Sequence, residues 1–436
     1  MIRTIRRLLA VLLICAGTPA WAGLTIQITR GVEGAVPIAV VPFAWSGPTP
    51  APPQDIGAII GADLARSGRF APLPAKDLIA HPTAPGRVNL ANWRVLGVNN
   101  LVIGSVRALG SGRYRVEVYL YDVYQSPQQA QLLGRRFTVS AAQLRRTAHH
   151  ISDLIYRQLT GQPGAFDTRV AYVTVSGPLK ARRYALKVAD SDGYNAHTVL
   201  QSTQPIMSPA WSPNGTRLAY VSFEHGRSEV YIQDLATGAR RLVSSFAGLN
   251  SAPAWSPDGR ELALTLSRRG NPEIYILDLT TGKPPRRITH DPAIDTSAVW
   301  MPDGRNLVFT SDRGGGPQLY EIPVQGGPVT RLTFDGSYNA APSVSPDGER
   351  IAMVHGQGGS YRIAVLDLKS GLFQVLTDGP LDDSPSFAPN GQMILYSAQY
   401  HGRRVLTTVT VEGRAGQRLL SQAGDVQSPA WGPYRK

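Results

Sequence analysis

Asp190-x-Asp192-Gly193-x-Asn195 sets oxygen donors at alternate positions around a glycine, the opening of a loop that could hold a hard cation such as calcium. The later oxygen ligands of such a loop are missing. The same place in the neighbouring segments is filled by the short turns 236–239 and 280–283, so a tight turn is the simpler reading. His149-His150 offers imidazoles, but a zinc site needs more ligands at i+4 or from elsewhere in the chain. A solvated or capping role is expected for that pair, with Arg145 and Arg146 on the same helix surface. No G-x-S-x-G elbow, P-loop, H-E-x-x-H or G-x-G-x-x-G is present. The expectation is a protein that is not an enzyme and needs neither cofactor nor metal.

What positions these residues is a repeat. The phrase SPAWSPNG at 208–215 recurs to the end of the chain, its second proline as Pro213, Pro257, Pro302, Pro346, Pro389 and Pro433. The steps are 44, 45, 44, 43 and 44 residues, and a period of 40–50 is about one propeller blade. Trp211, Trp255, Trp300, Val344, Phe387 and Trp431 stand two places before those prolines. Each repeat reads as an inner strand, a Ser-Pro-Asp-Gly turn and three further strands, the grammar of a four-stranded blade. Residues 169–202 supply three strands without a PAW phrase, and 428–433 supply the phrase without its strands. Six blades are therefore expected, with the last strand closing the ring so that no edge is left unpaired there.

Strand alternation then assigns faces. The loops joining fourth to first strands surround the mouth of the ring. They contain Asp291, Asp295, Asp335, Asp378, Asp382, Asp383 and Asp425, and no Lys or Arg. Arg217, Arg260, Arg305 and Arg350 crowd the opposite turns. The formal charge of +13 therefore does not describe the mouth, which suits a protein with a neutral or basic loop. A sugar-binding propeller is the alternative; it calls for aromatics at the mouth, where Tyr338 is the candidate and support is thin.

Upstream, Arg3, Arg6 and Arg7, the apolar run Leu8–Ile14 and Ala20-Trp21-Ala22 form a signal peptide cleaved near Ala22. Cys15 is the only cysteine, so no disulfide is expected and the periplasm is the expected compartment. Export argues against nucleic acid as the partner of the basic charge, and no membrane insertion is expected. Residues 23–165 read as an α/β domain with a mixed sheet: runs Leu24–Thr29 and Val36–Phe43, a helix capped by Asp55, three strands between Asn100 and Val139, and a helix from Ala141 to Thr160. Residues 166–436 form the propeller.

The repeated SPAWSPDG phrase, together with the opening GVEGAVPIAVVPF at 31–43, resembles the TolB family, periplasmic components of the Tol-Pal system of Gram-negative envelopes. The resemblance covers the whole chain. It implies a non-enzymatic, monomeric scaffold that binds the lipoprotein Pal at the propeller mouth and the C-terminal domain of TolA through its N-terminal segment. It implies roles in outer-membrane invagination at division and in membrane integrity, with bacteriocins as further partners. Carried onto this chain, the TolA segment is Gly23, Leu24, Thr25, Ile26, Gln27, Ile28, Thr29, Arg30, Gly31, Val32, Glu33 and Gly34. The Pal surface is Met207, Leu249, Asn250, Ala252, Asp295, Thr296, Tyr338, Asn339, Asp382 and Asp383. The family often has histidine where Leu249 stands.

Overall fold

A computed structural model of the protein describes residues 26–28, 34–419 and 424–435. The expected signal peptide, Gly23–Thr25 and Thr29–Glu33 lie outside these residues.

The N-terminal region builds one mixed sheet in the order Phe70–Pro72, Val36–Val40, Asn100–Gly110, Arg113–Asp122 and Gln131–Ser140. The first three strands run parallel and the rest antiparallel. Helix α1 (Ile56–Arg66) starts where the Asp55 carboxylate accepts from the Ala58 N–H, which supplies a partner for an otherwise orphaned donor. Its Ile56, Ile60 and Leu64 pack with Leu144, Ile151 and Ile155 of the long C-terminal helix (Leu144–Thr160) over Ile38, Val102 and Val118 of the sheet. Gly161, at φ 74°, ends that helix in the left-handed conformation that glycine adopts without steric cost.

The propeller has six blades of four antiparallel strands. Blades 1 to 5 begin at Ile206, Asn250, Asp295, Tyr338 and Asp383. The sixth is shared: Asp425–Trp431 is its inner strand and pairs with Arg169–Ser176, Asp425 against Val175 and Trp431 against Val170. The outer strands are short, down to Arg286–Arg287 and Thr330–Arg331. Around the opposite face the Ser-Pro-Asp-Gly turns stack. A side chain at Gly259 would meet Pro213, one at Gly304 would meet Pro257, and one at Gly215 would meet Pro433, which carries the stack across the closure.

Two expectations change. The run Leu24–Thr29 was read as opening the α/β sheet; its described part, Ile26–Ile28, instead adds a fifth strand to blade 5, pairing with Gln417–Leu419. The outer edge of a blade offers unpaired backbone groups to any extended segment, and this edge takes one from its own chain.

The second change concerns His149 and Arg145, read as solvated. His149 is buried, with Nδ1 2.7 Å from Asp63 of α1 and Nε2 3.7 Å from Asp192 of the propeller. Arg145 is also buried and pairs with Asp192. Arg66 bonds Asp63 at 2.9 Å and the Ser191 hydroxyl at 3.1 Å, and Arg435 reaches Asp190. Only His150 and Arg146 of the group are exposed. The Asp190–Asn195 segment is a turn, as expected, and its carboxylates join the two domains. Its neighbours on the helix are invisible to a periodicity argument, because the buried face is polar and its partners lie in the other domain.

Candidate protein-docking face of the propeller

Each inner strand bulges in the same way. The residue before the Pro (Ala298 in blade 3) has positive φ in all six blades: Ser208, Ala252, Ser297, Ala341, Ser384 and Ser428, between 47° and 56°. The register slips at each of these points, for example between Met207 and Ala210. Non-glycine residues in this region carry strain that surrounding structure must hold in place. These bulges line an axial cavity of about 450 Å³ walled by the repeated Pro-Ala and Pro-Ser steps.

Upstream of the bulge, alternation sorts the expected mouth residues into two sets. Ile206, Asn250, Asp295, Asn339, Asp382 and Val426 occupy equivalent positions, and all are buried. Asn250 accepts from the Ser244 hydroxyl at 2.7 Å and the Phe246 N–H at 3.0 Å, and donates to the Phe246 carbonyl at 2.7 Å. Asn339 donates to Gln318 and to the Asp335 carbonyl and sits 2.9 Å from His355 Nδ1. Asp295 receives the Arg313 guanidinium at 3.0 and 3.1 Å. Burial pushes the Asp382 carboxyl up to about 6, against hydrogen bonds from Thr377 and Gly379. These four side chains hold the rim loops in shape from beneath, and they do not face solvent.

The next position faces outward. Met207 is 44% exposed there, and Thr296 and Asp383 are half-buried. Leu249 and Tyr338 are half-buried, Tyr338 packing edge-on against Tyr361 with ring centroids 5.2 Å apart. Sequence reasoning missed Ile294 (50% exposed), Leu381 and Tyr361 on the same face. The signal was present, since a large apolar residue in a polar loop has no core to enter. With Met207 they form an apolar rim around the cavity, the kind of exposed patch that marks an interaction site.

The rim is also less acidic than its loops suggest. Arg313, from the second-to-third loop of blade 3, closes onto Asp295, and Arg404 stands 3.4 Å from Asp383. The loops carry no cation of their own, but neighbouring elements supply them. Among the described residues no group of three or more His, Cys, Asp or Glu side chains is placed to hold a metal. No described helix is long and apolar enough to cross a membrane.

Residues 24–129 match the TolB amino-terminal domain and residues 156–435 the TolB beta propeller domain. The chain belongs to the TolB family. It is 53% identical over its full 436 residues to the Tol-Pal system protein TolB of Xanthomonas euvesicatoria pv. vesicatoria, covering 98% of that protein, and equally so to that of Xanthomonas campestris pv. campestris. The crystal structure of TolB from Acinetobacter baumannii superposes with a TM-score of 0.86 at 42% identity, over 94% of this chain and all of that one. The TolB fold seen here is thus a Tol-Pal component built as an α/β domain on a six-bladed propeller.

Proposed function

We propose that this TolB-family chain is a non-enzymatic periplasmic scaffold, exported by residues 1–22, with domains at 23–165 and 166–436. Its propeller mouth takes the Pal lipoprotein, and its N-terminal segment, Gly23–Gly34, takes the C-terminal domain of TolA. Linking the two serves outer-membrane invagination at division and membrane integrity, and bacteriocins are further partners. The observation that carries this reading is the apolar rim of Met207, Ile294 and Leu381, set over buried polar braces. A rim held from beneath loses little freedom when a partner docks, so more of the contact energy is retained as affinity.

The short strand Ile26–Ile28 supports the second half of the reading. Three residues on an exposed blade edge detach at low cost, which lets the segment exchange between the blade and a partner.

The test is calorimetry of the protein against the soluble domain of Pal and the C-terminal domain of TolA. Met207→Glu and Ile294→Glu should each weaken Pal at least tenfold and leave TolA unchanged; deleting 23–34 should abolish TolA binding. Capture of glycan strands but not Pal by the unaltered protein would replace this reading with the sugar-binding one.

A further inference from the structure

Blade 2 is the repeat with the 45-residue step, one longer than its neighbours on either side. After its Thr280–Lys283 turn come Pro284 and Pro285, which lack the N–H that a sheet ladder needs. Its outer strand shrinks to Arg286–Arg287, paired only with Ile276 and Tyr275. In blade 1 the outer strand runs through Arg240–Ser244 and pairs down to Gln233. The lower end of the third strand in blade 2 is therefore left without an outer neighbour among the described residues.

A groove of about 390 Å³ opens there, between the two blades. Leu242, Val243 and Phe246 form one wall, and Leu277, Leu279 and Pro285 the other. Leu242 is 46% exposed. Cations stand at both ends. Arg268 lies over the Phe246 ring at 4.1 Å at one end, and Arg241 and Lys283 stand at the other. The nearby Arg240, Arg286 and Arg287 are engaged by Glu224, the Val324 carbonyl and Glu273. The side chains of Arg241 and Lys283 have no polar partner among the described residues. The one carboxylate in the lining, Asp278, accepts from Thr280 and Thr281 in its own turn.

We propose that this groove binds an extended protein segment with apolar residues at its centre and carboxylates at both ends, added as a fifth strand to the outer edge of blade 1. The charge pattern selects the acidic ends. The apolar walls select the centre, and the edge of Arg240–Ser244, unpaired among the described residues, selects an extended backbone over a free anion or a lipid headgroup. Five residues of strand span about 17 Å at about 3.3 Å each, which sets the length of the segment. Blade 5 shows that an outer edge of this propeller accepts such a strand, since Ile26–Ile28 is added there.

The experiment is calorimetry of the full chain with the capped peptide EEVTLTEE, its lysine counterpart KKVTLTKK, and phosphatidylglycerol vesicles. The acidic peptide should bind one to one. Joint Arg241→Glu and Lys283→Glu, both exposed positions, should raise its Kd at least tenfold. Leu242→Ser should raise it at least fivefold at constant charge, while Arg305→Glu on the same face and Met207→Glu at the mouth leave it within twofold. The proposal is overturned if the acidic peptide does not bind, if the lysine peptide binds as well, or if Arg305→Glu matches the double reversal. Binding of the vesicles without the peptide overturns it too.

Discussion

The indole N–H of Trp211 donates to the carbonyl of Ala430, 3.1 Å away across 219 residues of sequence. The bond repeats around the ring: Trp255 to Ala210 at 3.2 Å, Trp300 to Ala254 at 3.0 Å, and Trp431 to the Thr168 hydroxyl at 2.8 Å. The Phe387 N–H donates to the Ser343 hydroxyl and the Trp431 N–H to that of Ser386. Apart from the Trp431 indole bond, which stays within the shared sixth blade, each bond ties an inner strand to the blade before it, and the Trp211 and Trp431 indole bonds both join the two ends of the ring.

Replacing Trp211 with Phe should cost about 2 kcal/mol, from the unpaired Ala430 carbonyl and the lost ring area. Adding Ala430→Ser should recover part of this, because serine at the same place in blades 4 and 5 bonds the next strand. Deleting 428–436 should cost far more and remove the single cooperative transition, since it exposes the edge of Arg169–Ser176. Thermal unfolding followed by near-ultraviolet circular dichroism measures all three.

Stability of the domain junction should fall as pH rises. Burial by itself lowers the His149 pKa, but the Asp63 carboxylate, helped by Asp192, holds it above the ordinary value. Burial pushes the Asp153 carboxyl up to about 7 even though it accepts the Phe166 and Asp167 N–H groups. Both groups have folded values above their unfolded ones. Their stabilisation is therefore complete at acid pH and is lost as pH climbs through the folded values, for Asp153 from about 4 to beyond 7. The charged groups acting on His149 are Asp63 and Arg66 of α1 and Asp192 of the propeller turn, with which Arg145 of the His149 helix also pairs. The protection factors of amides in 161–168, taken relative to the intrinsic exchange rate at each pH, should fall from pH 5.5 to 8.5, and His149→Gln should flatten that fall.

Arg313→Gln should destabilise blade 3 by about 3 kcal/mol, because it strands the buried Asp295 charge. Arg305→Gln, on an exposed turn, should stay within about 0.5 kcal/mol. Urea unfolding of the two variants separates a rim ion pair that is structurally required from an arginine that only contributes charge.

At the bulges, Ala252→Gly should be neutral within about 1 kcal/mol, since relief of the positive φ offsets the added chain entropy. Ala252→Val should cost about 2 kcal/mol or more, because a β-branched side chain tolerates that conformation poorly. Chemical denaturation checks both, and a stabilising valine would show that the backbone there is not strained.

The blade count was legible because a repeat writes its period into the chain: one proline every 43 to 45 residues, with tryptophan, valine or phenylalanine two places before. The candidate docking face was legible as a set of loops but not residue by residue. Asn250, Asp295, Asn339 and Asp382 read as surface because they are polar and sit near turns. The inner strands start earlier than the PAW phrase suggests, and alternation turns those four side chains inward.

The sequence by itself determined the six blades, the shared closing strand, the α/β partner domain and the face around which the acidic loops gather. Period, turn chemistry and apolar patterning are local, and each blade repeats them. Only the tertiary structure decided that Ile26–Ile28 lies on blade 5, that His149 and Arg145 join the domains, and that Arg313 covers Asp295. Those outcomes depend on which groups meet across 18 to several hundred residues, where burial and charge pairing, not local preference, set the energy.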